Sequence, residues 1–169
     1  ALIACIKVKK LNINLKSLNN ILPKIYWPGR LENISYKLLP KYKNFECWVD
    51  VAHNKLGFTV LLDWIKRTKI KNFHIIMALG IRKDYINILK VIKQAKPKNL
   101  FILKGKSFSS HDPKKVKKVA AQLKIHSIIS DDVYDALNFI KRDKKTFEKK
   151  KVIITGSIGL VGSFLSEIE

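Results

Sequence analysis

Three short segments combine side chains and spacing suited to chemistry. The first is Trp27-Pro28-Gly29-Arg30. A guanidinium that follows a rigid Pro and a permissive Gly, on a turn entering a strand, can clamp a phosphate through its fork of N–H donors. The second is Trp48-Val49-Asp50-Val51-Ala52-His53-Asn54. Its pattern predicts a strand ending at about Val51 and a helix starting near Asn54. In open parallel sheets, ligands gather outside the carboxyl ends of the strands. There Asp50 can accept hydrogen bonds from ribose hydroxyls, and His53 can donate to an anionic group. Each has a structural alternative: Asp50 capping the following turn, His53 bonding to a neighbouring loop. The third segment runs from Thr155 to Gly162, with glycines at 156, 159 and 162. It looks like a dinucleotide loop, but that fingerprint opens a βαβ unit and needs an acidic residue about 20 positions further on. The sequence ends at Glu169, so a dehydrogenase-type reading is set aside. What remains is a tight turn offering Ser157 and backbone N–H groups to an anion.

The elements that must position these residues follow from periodicity. Short β-branched runs at Cys47–Val51, Phe73–Leu79, Leu100–Leu103, Ile125–Ile129 and Val152–Ile154 read as strands buried on both faces. Between them lie helical patterns. Leu56, Val60, Leu61, Trp64 and Ile65 share one face, as do Tyr85, Ile88, Leu89 and Ile92. Val116, Val119, Ala120 and Leu123 form a third stripe, and Val133, Ala136, Leu137 and Ile140 a fourth. Asp84, Asp112-Pro113 and Ser130-Asp131-Asp132 supply start signals. Leu31–Lys37 reads as a further strand at the sheet edge. The alternation predicts an α/β fold: a Rossmann-like, mostly parallel sheet of about six strands with helices on both faces. Residues 1–26 fall outside the alternation and carry five Lys and no acid; they read as the tail of a preceding domain plus a linker, leaving 27–169 as the domain.

Composition narrows the classes further. The 169 residues hold 34 Lys+Arg against 13 Asp+Glu, a formal net charge of +21, and are 47% hydrophobic. That apolar content excludes a disordered basic tail, and the length suits one core. No run reaches the roughly 18 apolar residues of a membrane span, and no signal-peptide pattern opens the chain. Cys5 and Cys47 make neither a metal spacing nor a disulfide framework, so a cytoplasmic setting is expected. Only Arg30, Arg67, Arg82 and Arg142 are arginines; the other cations are Lys. Arg is the preferred side chain for bidentate phosphate and base contacts, and a Lys excess beside many Ile and Asn reads as codon bias. The alternative is a non-catalytic basic domain that binds nucleic acid. The even spread of Lys along the chain, with Trp27, Trp48 and Trp64 in motif or core patterns, weighs against it.

Taken in order, Trp-Pro-Gly-Arg-Leu-Glu at 27–32, Val-Asp-Val-Ala-His-Asn at 49–54 and Thr-Gly-Ser at 155–157 resemble folylpolyglutamate synthase/dihydrofolate synthase. The likeness is to that enzyme's C-terminal domain, of the Mur ligase superfamily, over residues 27–169. The resemblance implies a ligase that joins L-glutamate to folate or dihydropteroate. ATP, with magnesium, phosphorylates the carboxylate, and the glutamate amine attacks the acyl phosphate. It implies Arg30 on ATP phosphates, Asp50 on the nucleoside, and His53 and Ser157 near glutamate, with His53 and Lys83 as catalytic candidates. It places the magnesium ligands and the phosphate loop on an N-terminal ATPase domain, in cis or in trans, and none on this chain. Departures exist. Met77–Asp84 keeps only Lys83-Asp84 of the family's Asp-Lys-Asp and has Ala78 where Gly is usual; Lys83 is equally readable as a surface Lys at a helix start. Lys55 replaces a Pro, and the stretch around Lys37–Phe45 reads as a surface hairpin extension. No Gly-x-x-x-x-Gly-Lys-Ser/Thr occurs; Gly105-Lys106-Ser107 has Leu100 where the first Gly belongs. The expectation is a fragment, a split-gene product or the product of a decaying gene, inactive alone.

Overall fold

The structure, a computed structural model, describes residues 20, 27–143 and 149–168. The reading of residues 1–26 as a tail and linker lies outside the described residues.

Among the described residues, six strands form one sheet in the order β1-β2-β6-β3-β4-β5. They are β1 (Glu32–Asn33), β2 (Phe45–Val49), β3 (Phe73–Met77), β4 (Asn99–Ile102), β5 (Ser127–Ile129) and β6 (Lys150–Thr155). Only β1 runs antiparallel, against β2; the other neighbours are parallel. Among the described residues, five helices connect and flank them: α1 (Lys55–Arg67), α2 (Tyr85–Ala95), α3 (Pro113–Gln122), α4 (Val133–Arg142) and α5 (Ile158–Ile168). The pleat sends alternate side chains to opposite faces. On β6, Val152 and Ile154 enter the core beneath α4 and α5, while Ile153 enters the core beneath α1, α2 and α3. Helices therefore cover both faces, as the continuous apolar strands require.

The start signals act as caps. Asn54, Asp84, Asp112 and Asp132 each accept a backbone N–H of the first helical turn. Lys114, Lys115, Lys117 and Lys118 all point to solvent, as their position off the apolar stripe of α3 predicts.

Three local expectations are corrected. The strand expected over Leu31–Lys37 is two residues long, because Ser35–Lys37 closes into a 3-10 turn. The expected surface hairpin at Lys37–Phe45 is instead a second 3-10 turn, Pro40–Tyr42, that drives Tyr42 into the core. Tyr42 is fully buried, stacks on Tyr134, and donates its hydroxyl proton to Asn138 Oδ1 at 2.9 Å. On α1 the buried stripe is Phe58, Leu61, Leu62 and Ile65. Leu56 and Val60 face solvent, at 74% and 52% exposure, because Phe58 and Leu62 form a better-centred i, i+4 row. No described helix is long and apolar enough to cross a membrane.

Candidate functional site at the carboxyl end of the sheet

The site is assembled from the loops that leave β2, β3 and β6, three neighbours in the sheet. Arg30 sits at the end of a turn in which its N–H reaches Trp27 O at 3.2 Å. Pro28 and Gly29 occupy the central positions, and Gly29 has φ +72°, the residue pattern of a type II turn. A Cβ at Gly29 would stand 3.0 Å from Val51 Cγ1, so the turn lies directly against the end of β2. Leu31 follows with φ 48°, a left-handed conformation costly for a side chain of this kind.

Two buried carboxylates hold that turn from either side. Asp50 Oδ2 accepts Leu31 N–H at 3.1 Å, and Asp50 Oδ1 accepts Ala52 N–H at 2.9 Å. Glu32 Oε2 accepts Gly29 N–H at 2.9 Å, while Oε1 pairs with Lys37 Nζ at 3.3 Å. The arginine between them is exposed. Burial raises the Asp50 pKa; hydrogen bonds from Ala52 and Leu31 and the nearby Arg30 charge pull it back. Both Asp50 oxygens thus serve the backbone, yet a carboxylate has about four acceptor sites, which leaves room for further donors.

His53 Nδ1 lies 2.9 Å from Val51 O. A carbonyl only accepts, so Nδ1 carries the proton. Nε2 then donates to an anion only when the ring holds both protons. Ser157 is buried, and its Oγ accepts Gly159 N–H at 3.0 Å, making it the cap of α5. The preceding Gly156 has φ +102°, and a Cβ there would meet Ala78 O at 2.7 Å; only glycine fits. Its N–H donates to Ala52 O at 2.9 Å. The loops after β2, β3 and β6 are therefore in direct backbone contact.

Lys83 begins the turn into α2, half-buried, its N–H on Gly80 O at 2.9 Å. His111, which sequence reasoning did not single out, holds this turn: its Nε2 donates to Lys83 O at 2.7 Å, and its ring lies 4.6 Å from that of Tyr85. Glu32 was also not singled out. Its signal was its place three residues after a turn glycine, where a side chain can reach back to the Gly29 N–H.

Arg30, Asp50, His53 and Ser157 thus share one backbone-linked cluster, and Lys83 lies beyond the β3 end of it. None of the five lines the small cavity of about 50 Å³ beside Phe108 and Phe164. Among the described residues no group of three or more His, Cys, Asp or Glu could hold a metal ion. The open valences, a guanidinium and an ammonium, suit phosphate or carboxylate oxygens.

No curated protein matches the chain at a significant level. Solved structures do match in fold. Mycobacterium tuberculosis folylpolyglutamate synthase, complexed with ADP, superposes with a TM-score of 0.74 at 16% identity, over 93% of this chain and 36% of that one. E. coli FolC in complex with DHPP and ADP gives 0.71 at 17% identity, over 98% and 37%. The bifunctional folylpolyglutamate synthase/dihydrofolate synthase of Yersinia pestis gives 0.74 at 16% identity, again over 98% and 37%. The chain thus spans little more than a third of the length of these enzymes. A family model described as dihydrofolate synthetase, C-terminal domain, matches residues 33–167. With most of its length matched and its sheet and helices arranged as in those synthases, the chain belongs to the family of dihydrofolate synthetase C-terminal domains.

Proposed function

We propose that this chain is the C-terminal wall of an ATP-dependent ligase that joins L-glutamate to dihydropteroate or folate. On this reading residues 27–169 form the domain and residues 1–26 belong to the end of an N-terminal ATPase domain and its linker. The observation that carries it is the exposed Arg30 on a turn clamped by Asp50 and Glu32, at the sheet end where α/β proteins bind ligands. Neighbouring synthases bear ADP, AMPPNP with manganese, and L-glutamate, which supports a nucleotide, a divalent cation and an amino acid as ligands.

ATP would supply the phosphoryl group that activates the carboxylate. Arg30 binds the polyphosphate and offsets its charge. Asp50 first fixes the Arg30 turn, and its spare acceptor sites take nucleoside hydroxyls. His53 Nε2, when protonated, holds a carboxylate oxygen of glutamate. Ser157, whose Oγ already caps α5, donates its hydroxyl proton to the same ligand. Lys83 approaches phosphate or carboxylate from the β3 side. Magnesium ligands and the Gly-rich phosphate loop come from the N-terminal domain, so the 169 residues do not activate a carboxylate by themselves. The setting is the cytoplasm.

The test is a nitrogen-15 NMR titration of the chain with ATP, paired with a ligase assay after adding the N-terminal domain of a longer relative. Shifts at Gly29, Leu31 and Gly156, absent in Arg30→Ala, are expected. Unperturbed resonances in this cluster at millimolar nucleotide would defeat the assignment. Folate- and glutamate-dependent ATP hydrolysis by the chain alone would defeat the claim of inactivity.

A further inference from the structure

Along the sequence the lysines look evenly spread; in the fold, two adjacent helices bring six of them together. α2 and α3 are neighbours on one face of the sheet. Together they expose Lys90, Lys93, Lys114, Lys115, Lys117 and Lys118, and neither helix contains an Asp or Glu. The carboxylates at their N-termini, Asp84 and Asp112, are the helix caps and already accept backbone N–H groups; the neighbouring helix on this face, α1, carries Asp63. On the opposite face, α4 and α5 mix Lys141 and Arg142 with Asp135 and Glu167. The ion pairs of the described residues join Lys37 to Glu32, Lys98 to Asp143 and Lys106 to Asp132; none lies on α2 or α3. Lys114 with Lys117 and Lys118 stand at i, i+3 and i, i+4, an arrangement that disfavours the helix by a few tenths of a kcal/mol per pair. A solvated face needs no such concentration of one sign.

We infer that the outward face of α2 and α3 binds the phosphate backbone of double-stranded nucleic acid without reading its sequence. Charge and size are matched. A helix of ten or eleven residues is about 15 Å long. Duplex DNA carries one charge per about 1.7 Å of axis with both strands counted, so about nine phosphate charges lie along that length, roughly half of them on the side toward the lysines. Specificity is absent for a physical reason. Neither helix contains an Arg for bidentate base contacts. The one exposed large apolar side chain on them is Ile86, so no aromatic ring is presented for stacking on single-stranded bases. Ammonium groups on flexible stems suit phosphates as point charges. This inference stands independently of the proposed ligase role, because none of these six lysines is among the residues assigned to that site.

The test is fluorescence anisotropy of the full chain with 20-base-pair duplex DNA and RNA over a range of salt. Binding in the range of about 10⁻⁴ to 10⁻⁶ M near physiological salt is expected, tightening as salt falls. The variant K114Q/K115Q/K117Q/K118Q should bind about tenfold or more weakly, with the log–log salt slope flatter by about 3. The charge-matched variant K41Q/K43Q/K141Q/R142Q, on the other face, should bind like the parent. Equal weakening by both variants would mean that net charge alone acts and would overturn the inference. So would absence of duplex binding at low salt, or binding to phosphatidylserine vesicles in preference to duplexes. Circular dichroism of each variant separates lost binding from lost fold.

Discussion

Asp50 shows how one side chain can shape the site. Its two oxygens hold Leu31 in a left-handed conformation and fix Ala52 at the end of β2. Asn at this position offers one acceptor and turns an N–H₂ toward the other donor. Asp50→Asn should therefore lose about 1–3 kcal/mol of stability in urea denaturation, and any Arg30-dependent nucleotide binding with it. The aspartate is legible in the sequence because it ends an apolar run. Its job is less so, since its partner Leu31 lies 19 residues earlier and only the folded sheet brings them together. His74 shows a titration. Burial first, then the Lys98 charge, lowers its pKa to about 4, while Asp143 opposes and Lys150 adds to the shift. In the unfolded chain the ring titrates near 6.5, so below that pH the unfolded state takes up a proton that the folded state refuses. The stability this group contributes is intact above about pH 6.5 and falls as pH drops toward 4, by at most about 1.4 kcal/mol per pH unit. Denaturation at pH 7 and pH 5 should show this loss, and His74→Gln should remove most of it. Asp50, whose folded pKa is raised, has the opposite sign, with stability gained as pH falls through that pKa.

At the scale of elements, periodicity is a reliable guide where a whole face is buried. Val133, Ala136, Leu137 and Ile140 of α4 are all in the core, as their spacing requires. It fails where burial is set by a neighbour. α1 contains apolar residues on more than one side, and the contact with α2 and the sheet selects Phe58 and Leu62 over Leu56 and Val60. The α5 helix is a second example: Gly156, Gly159 and Gly162 suggest a loop, but capping by Ser157 and burial of Val161, Phe164 and Leu165 make the segment a helix. The 3-10 turn at Pro40–Tyr42 is a third, because nothing local announces that Tyr42 will be buried against Phe45 and Tyr134. Tyr42→Ala should cost about 3–5 kcal/mol. Tyr42→Phe keeps the rings packed, loses one hydrogen bond and exposes Asn138 to rearrangement, and should cost about 1 kcal/mol. The difference between the two variants, read from denaturation midpoints at constant slope, measures how far this stretch belongs to the core.

At the scale of the whole molecule, the fold class follows from the sequence because strand and helix alternate, but the strand order does not. Nothing in the apolar run at 152–154 shows that it is inserted between β2 and β3, pairing with both along Lys150–Thr155. That insertion has a consequence for biogenesis. β2 and β3 are separated in the sheet by a strand that leaves the ribosome after the other five, so until then the nascent chain has two half-sheets with no seam. Val152, Ile153 and Ile154, all fully buried, would stand as gaps in both cores until then. A chain ending before Lys150 should show no cooperative unfolding transition by circular dichroism, while the full chain shows one. The distant pairing also predicts slow folding for this size, since long loops must close before the central contacts form. In the cell, the domain stays exposed to chaperones and proteases until β6 has been synthesised and has joined the two half-sheets.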